Sequence, residues 1–311
     1  MSLSNIVRYL NELEAIDFSE VSGQAQHNLS AINYVVSAHD TNIGFYKARI
    51  QKRHDTVIEA LHQYQQVFKN LKDELAQTVR NQEKDYYKNS TKLYQTAMQY
   101  DTDEHVLNRR LGIDDESNMI LRSRLRNYTD WRTPGMIIHP GHESFIEDMV
   151  PLDPLYVLDV NQDLMLPAVN KFNEQYRARL RCYQIDESRY TMLNELPQQQ
   201  FGCIFSYNFF NYRPIELIER YLKELYECLR PGGVLLFTYN DCDQAHGVEL
   251  FEKNFMCYTP GHRIKNHAED IGFDLIYHYI GKGDLAWLEF RKPGQITSLR
   301  GGQTLAQIVR K

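Results

Sequence analysis

The 311-residue sequence lacks any apolar run long enough to cross a membrane, and its first residues, MSLSNIVRYLNELEAIDF, lack the apolar core of a signal peptide. It also lacks an excess of basic residues, since 35 Lys and Arg stand against 41 Asp and Glu and give a formal net charge of −6. That balance argues against a nucleic-acid-binding surface spread over the whole protein. We therefore expect a cytoplasmic protein with no membrane partner.

Cysteine is scarce and dispersed. All five cysteines lie between residues 182 and 257, and no two have the CxxC spacing of a metal or redox site. An odd number of scattered cysteines predicts reduced thiols that fill the core, and no metal site.

Residues 1–100 contain no proline and only two glycines, Gly23 and Gly44. Because proline and glycine are the residues that break helices, the segment from about Ser22 to Lys88 is predicted to be long helix. An apolar seam with alternating spacings of three and four follows part of it: Leu61, Tyr64, Phe68, Leu71 and Leu75. The seam favours a coiled-coil-like assembly domain at residues 1–100 that makes the protein a homo-oligomer. The alternative is a helical hairpin packed against the rest of its own chain.

The next segment, residues 101–133, is rich in arginine. Its arginines are Arg109, Arg110, Arg122, Arg124, Arg126 and Arg132. Leu121 and Leu125 have the spacing of one helix face, so the segment is predicted to be a basic helical bridge. Its arginines are either solvated or form a surface for an anionic substrate such as a nucleotide phosphate.

Strand and helix patterns alternate from residue 154 onwards. An apolar run, Leu155–Leu158, ends in Asp159, and a polar turn leads into LMLPAVNKFNEQYRARL, which has the apolar spacing of a helix. This pattern predicts a buried parallel strand with an acid at its carboxyl end, the edge at which open α/β sheets bind ligands. A carboxylate there could accept hydrogen bonds from two ribose hydroxyls.

The alternation of predicted strands and helices continues to residue 239. Arg181–Ile185 is a predicted short strand that ends at Asp186, and Phe201–Ser206 is a predicted buried strand. The helix ELIERYLKELYECL is predicted to stop at Arg230–Gly233, where glycine would supply the positive φ of a cap. Val234–Tyr239 is the strand after it. Together these elements predict an α/β protein with a doubly wound, mostly parallel sheet.

This run resembles the second half of a class I S-adenosylmethionine-dependent methyltransferase. In that family an acid at the end of the second strand binds the ribose, an acid after the third strand lies beside the adenine, and a helix ending in L-[KR]-P-G-G precedes the fifth strand. The matching residues here are Asp159, Asp186 (with Glu187 as the alternative) and Leu229–Gly233. The resemblance covers about residues 134–293. It implies a Rossmann-like seven-stranded sheet, S-adenosylmethionine as cofactor, and methyl transfer as the reaction.

The first strand and its loop depart from the family pattern. The stretch Gly135–Ser144, GMIIHPGHES, stands where the family has an acid-bearing strand followed by G-x-G-x-G, and only Gly141 of those glycines remains. His139 and Glu143 occupy glycine positions, where a Cβ narrows the space for the cofactor. We favour replacement contacts from this loop, Pro140 included, to the methionine part of the cofactor. The alternative is that the pocket no longer holds it.

The loop after the fourth strand, Ser206–Tyr212, has the sequence SYNFFNY. In the family this loop faces the substrate, so the resemblance makes Ser206 a cofactor-binding candidate and Tyr207 and Asn208 catalytic candidates. Its rings either form a stacking platform for a flat substrate or pack in the core. After the next strand, either Asp241 or Asp243 is a candidate base, or both are simply part of a hydrophilic loop. The [DN]-P-P-[YFW] motif of amino-methylating members is missing, so the acceptor stays unidentified.

The C-terminal part predicts a feature that separates methyltransferase sheets from those of dinucleotide-binding dehydrogenases. The helix RIKNHAEDI ends at Gly272, and two strands, Phe273–Ile280 and Leu285–Arg291, are joined by the short turn GKGD. A terminal antiparallel hairpin of this kind is typical of the methyltransferase family. Residues 294–311 contain no acid and are predicted to form a basic tail.

These patterns favour an S-adenosylmethionine-dependent methyltransferase whose acceptor is a small molecule or a protein side chain rather than nucleic acid. The alternative is a non-catalytic scaffold or assembly protein that keeps the fold, because the glycine loop is degenerate. The segments YNFFNYRP and RGGQTLA also resemble methyltransferase-like proteins of bacteriophages of aquatic bacteria. A phage origin would place the protein in the host cytoplasm or in the virion.

Overall fold

The chain divides into two compact units, Met1–Lys84 and Asp85–Lys311. The structure, a computed structural model, describes residues 2–17, 20, 23–24, 27, 30, 44–99, 113–141, 145–281 and 285–295. The division between the units falls earlier in the chain than the predicted boundary at residue 100. Among the described residues, no helix combines the length and apolarity that crossing a bilayer requires.

Among the described residues of the first unit, α1 spans Leu3–Glu14, and α2, which spans Gly44–Gln99, begins there. The side chain of Ser2 caps α1 by accepting a hydrogen bond from the backbone N–H of Asn5. An ion pair of 2.9 Å joins Lys72 to Glu14. The long N-terminal helix is therefore confirmed. The part of the predicted helix that covers residues 31–43 lies outside the described residues.

The predicted apolar seam of α2 splits into two faces. Leu61, Phe68 and Leu75 are half-buried, whereas Tyr64 is 65% exposed and Leu71 is 43% exposed. Val57, seven residues before Tyr64, is 46% exposed. We call Val57, Tyr64 and Leu71 the exposed heptad stripe, because they recur every seven residues and so lie on one side of the helix.

A seven-stranded sheet forms the centre of the second unit. Its strands are β1 (Gly135–Ile138), β2 (Leu155–Asp159), β3 (Arg181–Gln184), β4 (Phe201–Ser206), β5 (Leu229–Tyr239), β6 (Asp274–Ile280) and β7 (Ala286–Arg291). Their order in the sheet is β3-β2-β1-β4-β5-β7-β6. The first five strands are parallel, and β7 runs antiparallel to both β5 and β6. The predicted α/β sheet with a terminal antiparallel hairpin is confirmed.

Helices cover both faces of this sheet. They are α3 (Asp115–Asn127), α4 (Phe145–Asp148), α5 (Gln162–Val169), α6 (Glu174–Arg177), α7 (Ile215–Cys228), α8 (Ala245–Glu252) and α9 (Gly261–Ile271), with a 3₁₀ turn at Phe210–Tyr212. Side chains alternate along each strand, so Met136 and Ile138 belong to one apolar core and Ile137 to the other. Leu121 and Leu125 of α3 complete the core that contains Ile137.

Two local predictions of helix geometry are wrong. The single helix predicted after Asp159 is broken into α5 and α6, because Asn170 ends the first and the side chain of Asn173 caps the second. Helix α7 ends with Leu229 in an extended conformation, not with a positive-φ glycine. Gly232 does have a φ of 78°, but it lies within β5, where its N–H donates to the carbonyl of Lys292. At α9 the predicted cap is confirmed, since Gly272 has a φ of 108°.

The described arginines of the basic segment pair with carboxylates of their own unit. Arg122 and Arg126 both contact Asp148, which is buried. Arg132 forms an ion pair of 2.8 Å with Asp130. Their charge is therefore used inside the unit, which neither of the two alternatives from the sequence anticipated. Arg109 and Arg110 lie outside the described residues.

Candidate functional site

The carboxyl ends of β1 and β2 bring His139 and Asp159 together. His139 follows β1 directly and Asp159 is the last residue of β2, and the two strands are parallel neighbours. His139 Nδ1 lies 2.9 Å from Asp159 Oδ2, and both side chains are buried. The other carboxylate oxygen, Oδ1, accepts a hydrogen bond of 3.1 Å from the backbone N–H of Asn161. The predicted ribose-binding carboxylate is thus at the predicted edge, but it already has partners within the protein.

The backbone of this loop keeps a conformation typical of glycine. His139 has a φ of 59° and Gly141 a φ of 58°, both in the left-handed region. The N–H of His139 donates to the carbonyl of Leu158 at 2.8 Å. Pro140 between them is buried. Glu143 lies outside the described residues.

The two acids after β3 have different roles. Asp186 is exposed and accepts hydrogen bonds from Ser188 and Arg189. The hydrogen bonds from Ser188 hold the pKa of Asp186 below its usual value. Glu187 instead turns inward, where Arg213 Nε donates to it at 3.1 Å and Tyr221 OH at 2.8 Å.

A tyrosine of α2 joins this buried group. Tyr94 OH donates a short hydrogen bond to Glu187, and burial, with the charge of Glu187 as the next cause, raises the pKa of Tyr94. The guanidinium of Arg213 lies 3.5 Å from the ring centroid of Phe209. These contacts give Glu187 a structural role in holding the last turns of α2, which are part of the second unit, beside β3.

A cavity of about 1030 Å³ opens at the carboxyl ends of β2 and β3. Its lining includes apolar side chains and the exposed acid: Leu158, Val160, Ile185, Asp186, Met192 and Leu193. Tyr94 also lines it. Polar and charged side chains, among them Gln184, Glu187 and Arg189, form the rest of the lining. A strand-end crevice is the usual place of a small-molecule site in an open α/β sheet.

The loop after β4 packs inward. Tyr207, Phe209 and Phe210 are all buried, and Phe209 and Phe210 contact each other edge to face with centroids 5.2 Å apart. Of the two alternatives for these rings, the structure shows core packing and not an open stacking platform. Asn208, also buried, has a φ of 55°, and its N–H donates to Thr238 Oγ1 at 2.7 Å.

Ser206 differs from its neighbours in this loop. Its hydroxyl is buried at the carboxyl end of β4 and has no hydrogen-bond partner within the described part of the chain. Ser206 pairs in register with Ile138, the residue before His139. An unsatisfied buried hydroxyl costs free energy, so a polar ligand atom at this edge would relieve it.

The candidate base Asp241 fixes the start of a helix. Its Oδ1 accepts hydrogen bonds from the N–H groups of Gly261 and Asp243, at 3.2 and 3.1 Å, and its Oδ2 lies 3.3 Å from His278 Nε2. Asp243 in turn pairs with His262 at 2.7 Å. These contacts give Asp241 a structural role, because it binds the first backbone N–H of α9.

Sequence patterns missed the buried group around Glu187, because Tyr94 and Arg213 come from distant segments that have no local signal for a shared site.

Among the described residues, no group of three or more His, Cys, Asp or Glu side chains could hold a metal ion.

The strand order, with β7 antiparallel, is that of the Rossmann-like methyltransferase fold. No protein-family model matches the chain, and no curated protein matches its sequence. Among solved structures, the N-methyltransferase NodS of Bradyrhizobium japonicum is 14% identical, with 58% of this chain and 99% of that one covered and a TM-score of 0.44. An S-adenosylmethionine-dependent methyltransferase of Mesorhizobium loti is 12% identical, with 54% of this chain and 96% of that one covered and a TM-score of 0.43. The [4+2]-cyclase SpnF is 13% identical, with 57% of this chain and 82% of that one covered and a TM-score of 0.45.

Proposed function

We propose that this protein binds S-adenosylmethionine at the carboxyl edge of its sheet and transfers the methyl group to a small-molecule or protein acceptor. The observation that carries the proposal is the cavity of about 1030 Å³ at the ends of β2 and β3, next to the acid that ends β2. In a doubly wound sheet this edge is where ligands bind.

The residues of the edge fit the parts of this cofactor. Leu158, Val160 and Ile185 would enclose the adenine, and Asp159 would accept hydrogen bonds from the ribose once His139 turns away. The Ser206 hydroxyl and the turn at Gly141 would face the amino-acid part. When bound, the cofactor supplies an electrophilic methyl group on a sulfonium. The residues of the chain then have to position the acceptor and exclude water, which requires little acid–base machinery.

The charges near the cavity favour a small molecule or protein side chain over nucleic acid as acceptor. Three acids, Asp186, Glu187 and Glu195, line the cavity, with Arg189 as a basic neighbour. Arg189 itself pairs with Asp186 and Glu195. A nucleic-acid phosphate needs basic groups that are free to bind it.

Calorimetry tests the proposal. The wild type should release or absorb heat with S-adenosylmethionine and with S-adenosylhomocysteine. Asp159→Asn should weaken binding by about 2–3 kcal/mol, because the amide loses the charged acceptor while keeping its shape. Asp163→Asn, an exposed acid in the first turn of α5, is the matched control and should bind like the wild type. A wild type that binds neither compound would contradict the proposal.

The second candidate function is a non-catalytic scaffold that assembles through its N-terminal helices. Two observations favour it: Asp159 is satisfied by His139 inside the protein, and the exposed heptad stripe leaves apolar side chains on α2. Under this alternative the protein would be a homo-oligomer that binds no cofactor. A bacteriophage-encoded scaffold would belong to the virion, and a bacteriophage-encoded enzyme to the host cytoplasm.

A further inference from the structure

We infer that His139 is a latch on the ribose site: its imidazole occupies Asp159 and has to leave before a ribose can bind. The inference rests on the proposed function, because it concerns the same cofactor site. It assigns to His139 a positioning role, as an internal competitor of the ligand.

The hydrogen bonds of Asp159 carry the first step. The carboxylate is 0% exposed. His139 Nδ1 lies 2.9 Å from one oxygen, and the N–H of Asn161 donates to the other at 3.1 Å. A carboxylate that is wholly covered cannot receive the two hydroxyls of a ribose. The Asn161 contact comes from the backbone of the same turn, so the imidazole is the partner that can be removed.

The backbone of His139 carries the second step. A non-glycine residue with a φ of 59° is strained relative to glycine. Strain of this kind persists only where the surroundings hold it in place. Here the N–H of His139 is fixed to the carbonyl of Leu158 at 2.8 Å. Since the main chain is fixed, the side chain can move by rotation about its own bonds without any shift of β1.

The balance of hydrogen bonds gives the direction of the effect. A ribose that binds Asp159 replaces one existing charged hydrogen bond, so the net gain is smaller than at a carboxylate that is free. Removing the imidazole removes this competition. We therefore expect His139→Gly to bind S-adenosylhomocysteine about tenfold to a hundredfold more tightly than the wild type, the range that one hydrogen bond to a charged group spans.

The experiment is calorimetry with S-adenosylhomocysteine on the full chain and three variants. His139→Gly removes both the imidazole and the backbone strain. His139→Ala removes the imidazole but keeps a Cβ, so its backbone cost resembles that of the wild type and it remains informative if the glycine variant folds poorly. Gln199→Gly is the matched control, because Gln199 also has a positive φ, of 56°, but is exposed and does not line the cavity.

The outcomes distinguish the latch at His139 from the proposed function, binding of the cofactor by the native chain. Tighter binding by both His139 variants, with Gln199→Gly like the wild type, supports the latch. If the wild type binds and the His139 variants bind equally or more weakly, the latch is wrong and the proposed function stands. Binding only by the His139 variants supports the latch while the proposed function of the native chain fails. If no variant binds, or if Gln199→Gly tightens binding equally, the latch is overturned.

Discussion

Arg124 of α3 holds both carboxylate oxygens of Glu289 in β7. Arg124 Nη2 lies 2.6 Å from Glu289 Oε2, while Arg124 Nε contacts Oε1, and Tyr128 OH donates to Oε2 as well. The guanidinium also lies 3.9 Å from the ring centroid of Tyr277. Glu289 is 0% exposed, so its polar atoms depend on these partners inside the core. The contact joins α3, which precedes the sheet in the chain, to β7, which is the last strand in chain order.

Arg124→Leu should lower the free energy of unfolding by about 3–5 kcal/mol, because it leaves the charge of Glu289 buried without its cation. Urea unfolding followed by circular dichroism measures this loss. Arg126→Leu is the control on the same helix: its partner Asp148 keeps Arg122, so we expect a clearly smaller loss. Equal losses in the two variants would contradict a special role for the Arg124–Glu289 pair.

Tyr128 should make stability depend on alkaline pH. Burial, followed by the hydrogen bond to Glu289 and its charge, raises the pKa of Tyr128 from 10.0 to about 12. Below pH 10 the phenol is protonated in both states and its contribution is complete. Above pH 10 it ionises first in the unfolded chain, so its contribution is lost as the pH rises towards 12.

The stability difference between the wild type and Tyr128→Phe should therefore be constant from pH 8 to about pH 9.5 and shrink above pH 10. Urea unfolding at intervals across this range measures it. Tyr190→Phe is the control, since that ring is 91% exposed. A difference that grows with pH would refute the raised pKa.

The exposed heptad stripe should mediate self-association of the full chain. Light scattering is expected to show an oligomer for the wild type and a lower mass for the double variant Tyr64→Glu with Leu71→Glu, because two charges would interrupt the apolar contact. The control, Gln63→Glu with Asn70→Glu, adds the same charge at neighbouring exposed positions. Point substitutions are preferable to deleting the N-terminal helices, since a chain that began near Asn118 would also lack residues 85–99, which belong to the second unit. A monomeric wild type would refute the proposed assembly.

Gly247→Ala should destabilise the protein by about 1–3 kcal/mol through overpacking. A Cβ at this position of α8 would lie 2.1 Å from the carbonyl oxygen of Asp241, a backbone atom that cannot move without the loop that holds it. Thermal unfolding measures the effect. Gly23→Ala is the control, because a Cβ there meets nothing within 4 Å, and it should be neutral or slightly stabilising. No loss in Gly247→Ala would mean that the loop yields easily.

The strands were the most predictable part of the fold. The runs at Leu155–Leu158 and Phe201–Phe205 contain no charged residue because parallel strands are buried on both faces, and the observed strands match them closely. The terminal hairpin was predictable for a related reason, since its two strands are separated by a short glycine-containing turn. The position of Asp159 at a strand end followed from the same pattern.

The contacts of the site could not be predicted in this way. The partner of Asp159 lies 20 residues earlier, just after another strand, and the hydroxyl of Ser90 in α2 accepts a hydrogen bond from the N–H of Tyr258, 168 residues later. Local periodicity indicates which face of an element is buried, but it carries no information on which distant side chain meets it. The left-handed backbone of His139 was equally hidden, because that conformation is rare for histidine and follows from the surrounding strands.

The distribution of the thiols leaves one cysteine open to selective labelling of the native protein. Cys203, Cys228, Cys242 and Cys257 are buried, and burial raises the pKa of each of these thiols. Partial burial raises the pKa of Cys182 as well, but this residue is exposed to solvent on β3. A maleimide dye should therefore attach preferentially at Cys182 in the native protein, without any engineered cysteine.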